Sequence, residues 1–381
     1  FTYALDNPAE GDEFTQKDGR NIYGVSAAGA FNFKSGDRTP AENTPSLEWG
    51  VELRHDDIDT LALFPSTARQ RAGEVRDDDV AETSLAGHMG IVWPITGSLT
   101  ATVGTRLDHY RWKVDAIEAA NSGRGHESRI SPKATLAWRA TEVTEIYLNY
   151  GRGMHSNDVR GAELSFDPAS GDPADPLDVL VPSDGFEIGM RYQPDQNLNL
   201  TMALFRLELE SELVFVGDAG GTETRGRSLR EGFELGGFWQ LTEWLSAHGN
   251  YGWTRSRSRD EPAGFRRIPG AISSAASAGL NARWENGITA SMRVRYLGRA
   301  PLIEDNSVRS DDSLMVNAGA AWRRGAFEYR VDAFNLLNSR DYDIAYFYTS
   351  RLPGEPDEGV DDVHFHPLEP RSVRFALRVL F

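Results

Sequence analysis

Ile288-Thr289-Ala290-Ser291-Met292-Arg293-Val294-Arg295-Tyr296 places its apolar side chains on one parity and its hydroxyl and arginine side chains on the other. Successive residues of an extended chain point to opposite faces, so this segment has one face for lipid or core and one for water. The pattern recurs. Leu99, Ala101, Val103 and Leu107 oppose Thr100, Thr102, Gly104 and Arg106, and Phe327, Tyr329, Val331 and Ala333 oppose Glu328, Arg330 and Asp332. At the end of the chain Val373, Phe375, Leu377, Val379 and Phe381 oppose Ser372, Arg374, Ala376 and Arg378. Each run approaches the roughly ten residues that a tilted strand needs to cross a bilayer.

Working outward, similar readings place strands over 22–33, 46–54, 83–93, 131–138, 143–150, 185–192, 197–209, 232–241, 245–254, 271–284 and 313–322. Phe1-Thr2-Tyr3-Ala4-Leu5 reads as the tail of one more strand, so the chain is expected to begin mid-barrel, with about sixteen strands present. The connections alternate in length. Tight turns are expected at 94–97, 139–142, 193–196, 242–243, 285–286 and 324–325, and long polar loops over 56–82, 115–127, 151–184, 210–230, 255–269, 299–312 and 338–370. Short turns on one side of a membrane and long loops on the other are the signature of an antiparallel transmembrane barrel. Trp93, Trp138, Trp239, Trp244, Trp284 and Trp322 all fall beside tight turns, where an interfacial girdle belongs.

Composition removes other classes. The chain has no cysteine, which excludes disulfides, thiolate metal sites and thiol nucleophiles. A net charge of -17 leaves no cationic surplus for nucleic acid. No apolar run approaches the ~18 residues of a membrane helix. The mean hydropathy of -0.46 also suits a soluble β-propeller, but that fold needs a repeat of about 40–50 residues, and none is visible.

Several segments then carry a likeness. Ile130-Ser131-Pro132-Lys133-Ala134-Thr135-Leu136-Ala137-Trp138 followed by Ile146-Tyr147-Leu148-Asn149-Tyr150-Gly151-Arg152-Gly153-Met154 forms one hairpin pattern. Gly185-Phe186-Glu187-Ile188-Gly189-Met190-Arg191-Tyr192, Ala203-Leu204-Phe205 and Asn335-Leu336-Leu337-Asn338-Ser339-Arg340-Asp341-Tyr342 follow in order, and Phe381 supplies a terminal aromatic. From about Leu85 onward the sequence resembles the TonB-dependent outer-membrane receptor family, with Met154 in place of the usual Phe and Leu337-Asn338 in place of Phe-Asp.

The resemblance implies an all-β, transmembrane antiparallel β-barrel, with about 15–16 strands present of the family's roughly twenty-two. Residues 1–381 would then be a partial barrel, with the plug domain, the TonB-contacting segment and the first strands lying outside it. It also implies energy-coupled uptake of a scarce nutrient, with a ferric siderophore as the leading ligand and cobalamin, a copper chelate or an oligosaccharide as alternatives. Expected partners are the TonB complex, reached through the plug, and outer-membrane lipid and lipopolysaccharide. The protein is expected to be a monomer in the bacterial outer membrane, without cofactor and without enzymatic activity. A passive sixteen-stranded pore is the competing reading. A hydrolase is disfavoured, because the histidines fall mainly in loops and no nucleophile motif is present.

Candidate ligand groups cluster at Arg152, His155, Asn157, Asp158 and Arg160, at the outer end of a strand. Imidazole, amide and carboxylate suit a metal chelate or sugar hydroxyls, and two guanidinium groups suit a carboxylate or catecholate; equally, these groups could satisfy one another. His364 and His366, two residues apart with Asp361 and Asp362 nearby, face one side of an extended segment and suit a divalent transition metal, or simply water. Tyr346 and Tyr348 could stack on a ligand or belong to a rim girdle. Asp77-Asp78-Asp79 and Asp311-Asp312 are expected in outer loops, as calcium ligands or a solvated face. Arg255, Arg257, Arg259, Arg266 and Arg267 concentrate positive charge suited to an anionic ligand or lipid phosphate.

Overall fold

Alternating sequence becomes one continuous antiparallel sheet in the computed structural model, which describes residues 13–33, 44–67, 70–71, 73–168, 170–216, 221–350, 356 and 359–380. The expected strand tail at Phe1–Leu5 and the terminal Phe381 lie outside the described residues. The strands are β1 (Glu13–Asn32), β2 (Ser46–Thr67), β3 (Gln70–Arg71), β4 (Arg76–Thr96), β5 (Leu99–Asp115), β6 (Gly123–Arg139), β7 (Thr144–Ser156), β8 (Leu180–Tyr192), β9 (Leu198–Leu209), β10 (Glu212–Val216) and β11 (Gly221–Arg225). They continue as β12 (Ser228–Gln240), β13 (Leu245–Ser258), β14 (Ser274–Arg283), β15 (Ile288–Leu297), β16 (Ser313–Arg324), β17 (Phe327–Phe334), β18 (Tyr342–Ser350), β19 (Val360–Pro367) and β20 (Ser372–Val379). The main sheet runs β1-β2-β4-β5-β6-β7-β8-β9-β12-β13-β14-β15-β16-β17-β20, with β3 attached to β2, while β10-β11 and β18-β19 form separate hairpins within long loops. β1 and β20 are its two edges among the described residues.

Register sorts the two faces. Leu47, Ile91, Val103, Ala134, Tyr150 and Phe186 stand opposite one another across β2, β4, β5, β6, β7 and β8. Leu280, Met292, Ala318, Ala333 and Val373 form a comparable row from β14 to β20. Large side chains on this face are open to the surroundings, Val103 at 61% and Phe375, two residues beyond Val373, at 80% exposure. A water-facing sheet would not leave such a band uncovered; a lipid-facing one must. The opposite parity carries Glu52, Arg106, Lys133, Asn149, Glu187, Arg293, Asn317, Arg330 and Asp332, the polar wall of a lumen.

The tight turns fall where sequence placed them, and two rest on glycine. Gly287 (φ 81°) and Gly325 (φ 59°) turn β14 into β15 and β16 into β17 in left-handed backbone that side chains resist. Trp93, Trp138, Trp239 and Trp322 stand exposed near this end, and Trp244 stacks on Trp284 with ring centroids 5.5 Å apart.

Several expected loops proved to be strand. β4 runs for 21 residues and β5 for 17, well beyond the roughly ten that the bilayer requires. Much of 56–82 is therefore wall. Asp77-Asp78-Asp79, expected in a solvated loop, lies inside β4, where alternation buries Asp78 to 2% exposure. Asp311 and Asp312 do lie between strands, both facing Arg299.

Candidate ligand-binding mouth

The extended outer ends of β2, β4 and β5 turn Ile58, Val80, Trp112 and Val114 inward, and the connection between β7 and β8 folds onto them. Val159 and Val179 from that connection and Leu180 at the start of β8 complete a small core inside the mouth of the lumen, with Leu180 and Val114 almost entirely buried. Burying a valine or leucine in this way is worth about 1.5–3 kcal/mol, a part of what offsets the entropy of ordering the loop.

Polar ties fix the docked loop. Glu118 begins a short 3-10 turn at Ala119–Asn121, and Asn121 accepts from the backbone of Ser165 (2.8 Å) and Phe166 (3.0 Å) while donating to the Phe166 carbonyl (2.8 Å). The Trp112 indole donates to Glu163 at 2.7 Å. One carboxylate oxygen of Glu127 accepts from the backbone of both Val179 (3.1 Å) and Leu180 (3.0 Å), and Arg129 donates to the Leu180 carbonyl (2.9 Å). The buried backbone of an inward-folded loop needs such partners, since water is excluded there.

Three of the residues singled out by sequence share this work. Asn157 donates to the Asp178 carbonyl at 2.8 Å and is 6% exposed. Asp158 caps the second 3-10 turn, Val159–Glu163, and pairs with Arg160 at 2.6 Å. Arg160 also reaches Asp78 at 3.4 Å, which Arg76 engages from the other side at 2.8 Å. Burial works against the charge of both Asp158 and Arg160. The guanidinium nevertheless holds the Asp158 carboxyl below the usual carboxylate range, and the two carboxylates push Arg160 upward.

Arg152 goes elsewhere. It lies in register with Asp184 and pairs with it at 2.9 Å, while the Tyr150 hydroxyl donates to the same carboxylate at 2.9 Å. Tyr150 belongs to the outward row, so this triad faces away from the lumen. His155 is half-buried opposite Val181.

The remaining candidates share the β18-β19 hairpin. Tyr346 stands opposite His364, and Tyr348 stacks on His364 with ring centroids 3.7 Å apart. His366 lies 3.9 Å from Asp343, which also approaches Arg295 of the wall at 3.8 Å. Among the described residues no group of three His, Asp or Glu side chains is arranged to hold a metal ion. The inward cations Lys133, Arg283 and Arg293 form no ion pair among the described residues, and sequence alternation was the signal that could have placed them there. Near the inner turns a lumen cavity of about 450 Å³ is lined by Gln240, Trp244, Asn281, Arg283, Ser291 and Arg330.

An outward apolar band, a charged lumen, short turns on one side and a folded loop in the opposite mouth define an outer-membrane barrel of the receptor type. The chain belongs to the TonB dependent receptor-like beta-barrel family, whose pattern matches residues 1–338. The protein therefore resides in the bacterial outer membrane, in a family of transport receptors rather than enzymes. It is 26% identical over 340 residues to the metal-pseudopaline receptor CntO of Pseudomonas aeruginosa, covering 84% of this chain and 42% of that protein. The chain thus spans less than half the length of that relative.

Among solved structures it is similar to the ferric-catecholate import receptor Fiu of E. coli, with TM-score 0.74 at 17% identity, covering 97% of this chain and 56% of that one. The ferric yersiniabactin uptake receptor FyuA of Yersinia pestis superposes with TM-score 0.70 at 16% identity, over 99% of this chain and 57% of that one. These likenesses are of fold.

Proposed function

We propose that this chain forms the wall of a TonB-dependent receptor that takes up a metal chelate, with an anionic ferric siderophore as the leading ligand. The observation that carries the reading is electrostatic. A chain of net charge -17 keeps Lys133, Arg283 and Arg293 on its inward face without carboxylate partners among the described residues. Unpaired cations in a confined aqueous space attract an anionic solute and raise its local concentration. The named functions of the similar proteins, metal-pseudopaline, ferric-catecholate and ferric-yersiniabactin uptake, are of the same chemical kind.

In this reading Asn157, Asp158 and Arg160 hold the mouth loop in shape, and His155, Tyr346 and Tyr348 supply ligand contacts. Arg152 secures the outer rim. His364 and His366 contact the chelate through its organic shell, and the metal keeps its own ligands. Energy coupling through a plug and the TonB complex belongs to the same proposal, as does a monomeric state.

The test is uptake of radiolabelled iron by iron-starved cells with and without the gene, across catecholate, hydroxamate and carboxylate ferric chelates, with copper chelate and cobalamin as comparison ligands. Loss of uptake for one class of ferric chelate supports the reading. Loss confined to cobalamin or copper chelate replaces its ligand, and unchanged uptake of every ligand overturns it.

A further inference from the structure

Charge is divided unevenly around the inward face of the wall. Between β2 and β8, carboxylates and cations of that face pair with each other: Glu52 with Arg106 at 3.0 Å, Glu127 with Arg129 at 2.7 Å and Glu145 with Arg191 at 3.2 Å. Strands β13–β16 differ. Their inward parity carries Arg283, Arg293, Arg295 and Arg323 and no carboxylate. Arg323, at the inner turn, faces Glu328 across the ladder. Arg295 has one long contact, with Asp343 at 3.8 Å, and Arg283 and Arg293 form no ion pair among the described residues.

These side chains stand in order along the barrel. Arg295 lies toward the mouth, Arg293 one inward position below it, then Ser291 in register with Asn281, and then Thr289 in register with Arg283 above the inner turn. At about 3.4 Å per residue the column is roughly 20 Å long, with inward positions about 7 Å apart. That spacing falls inside the Debye length of about 8 Å, so the fields of Arg293 and Arg295 merge. The His248 ring covers Gly279, where a Cβ would stand 2.4 Å from it, and reaches the Asn281 amide at 3.4 Å. Gly279 is also the partner of Arg293 across the ladder, so its missing side chain brings imidazole and guanidinium to one place on the wall. At its inner end the column opens into the cavity of about 450 Å³, whose lining includes Asn281, Arg283, Thr289 and Ser291.

We infer that the solute's route through the lumen runs down the β13–β16 wall, from Arg295 past Arg293 and His248 to the cavity at Arg283, and that it admits anions. Such a path rests on the proposed uptake of an anionic chelate and gives that cargo one side of the barrel. Successive cations without carboxylates let an anion move from one to the next, each contact strong enough to draw it in and weak enough to release it. Ser291, Asn281 and His248 supply neutral hydrogen-bond donors between Arg293 and Arg283. The carboxylates of the β2–β8 wall repel the same solute.

The absence of cysteine from the chain makes single thiols clean probes. Ser277→Cys, in register with Arg295, and Ser291→Cys place one on the route, while Thr102→Cys and Asn149→Cys place one on the inward face of β5 and β7. The whole receptor in energised, iron-starved cells would be labelled with ethyl methanethiosulfonates bearing either a sulfonate or a trimethylammonium group, the parent serving as control for thiols elsewhere. The ratio of sulfonate to trimethylammonium labelling rates should be at least about ten-fold higher at Ser277→Cys and Ser291→Cys than at the two comparison sites, because a potential of a few kT acts oppositely on the two reagents. Adding Arg293→Ala and Arg295→Ala should remove most of that difference at Ser277→Cys. Iron uptake from ferric citrate and from an iron tris-catecholate would then be measured on sulfonate-labelled cells. A sulfonate on the route should slow whichever uptake depends on the gene by about ten-fold or more, and one on β5 or β7 by less than about two-fold. Equal ratios at all the sites, no labelling at Ser277→Cys and Ser291→Cys, or equal slowing from both walls overturns the route. Where neither uptake depends on the gene and the ratio still holds, the ferric cargo fails and the anion route stands.

Discussion

Trp112 donates its indole N–H to Glu163 across 2.7 Å, joining the β5 wall to the loop between β7 and β8. The contact depends on two glycines of the facing strand: a Cβ on Gly125 would stand 2.4 Å from the Trp112 ring, and one on Gly123 would stand 1.9 Å from the Glu163 carboxylate. A hydrogen bond to a charged group is worth about 1.5–3 kcal/mol. Glu163→Ala is expected to loosen the loop by about that amount, and Gly125→Val to do the same by displacing the indole. Limited proteolysis of the folded protein measures this, since cleavage within 156–180 should accelerate while the barrel strands stay protected. Unchanged cleavage in both variants would show that the apolar core alone holds the loop.

The Asp158–Arg160 pair gives the same loop a dependence on pH. Burial opposes the charge of Asp158, but its hydrogen bond and attraction to Arg160 prevail and keep the folded value below the unfolded one. The stabilisation is therefore complete above the unfolded value of about 4 and is lost as pH falls below it through the folded value. Protection of 156–180 against hydrogen exchange, taken relative to the intrinsic rate at each pH, should fall from about pH 4 downward. In Asp158→Asn the loop should exchange faster at neutral pH and show a smaller acid step; an undiminished step would assign it to other carboxylates.

Assignment of the two sheet faces can be checked on adjacent residues. Val103 belongs to the exposed apolar row, and Thr102 has the opposite parity. Val103→Arg should destabilise the membrane-embedded protein by about 2–4 kcal/mol, while Thr102→Arg should cost well under half of that. Denaturant titration in lipid vesicles gives both numbers. Equal costs would mean that the faces are not divided between lipid and lumen.

Asp332 sits between Arg330 at 2.9 Å and Arg374 at 3.0 Å, tying β17 to the terminal β20. Its side chain is 8% exposed, while that of Arg374 is 63%. Removing the buried member strands two cations, whereas removing the exposed one leaves a pair intact. The stranded arginines are about half exposed or more, so water takes up much of the loss: Asp332→Ala should cost about 1–2 kcal/mol and Arg374→Ala less than about 1 kcal/mol. The temperature at which the folded gel band disappears orders the variants, and the reverse order would reject the seam.

Period-two alternation made most of this architecture legible, because a lipid face and a water face impose opposite chemistry on neighbouring residues. It underestimated strand length where charge continued the alternation. Asp77-Asp78-Asp79 reads as a solvated run, yet Asp78 faces inward and finds Arg76 and Arg160. Sequence also brought Arg152 and Arg160 together as neighbours, while the chain sends one outward to Asp184 and the other into the mouth. Local spacing does not record where a long connection folds back. Asn335 was visible only as part of a family pattern. Its physical reason is a left-handed backbone (φ 48°) whose side chain, 1% exposed, donates to the carbonyls of Ser339 and Glu369 at 2.9 Å each.

Charge in the lumen separates the ligand classes still open. Arg293 faces Gly279 and Asn317 across its neighbours, and Arg295, one inward position further out, lies 3.8 Å from Asp343. Arg293 forms no ion pair among the described residues and Arg295 has only the long one to Asp343, so the two together retain positive charge for an anionic solute. Arg293→Ala with Arg295→Ala should weaken binding of an anionic ferric chelate by roughly ten- to a hundred-fold, by the ~1.5–3 kcal/mol of a charged hydrogen bond. The loss should shrink as salt rises, because screening already reduces the attraction in the parent protein. Binding of a ligand without net negative charge should change by less than about three-fold, since only desolvation at the wall is altered. Equal losses for charged and uncharged ligands would mean that these arginines shape the barrel instead of selecting its cargo, and the anionic-chelate reading would have to be given up.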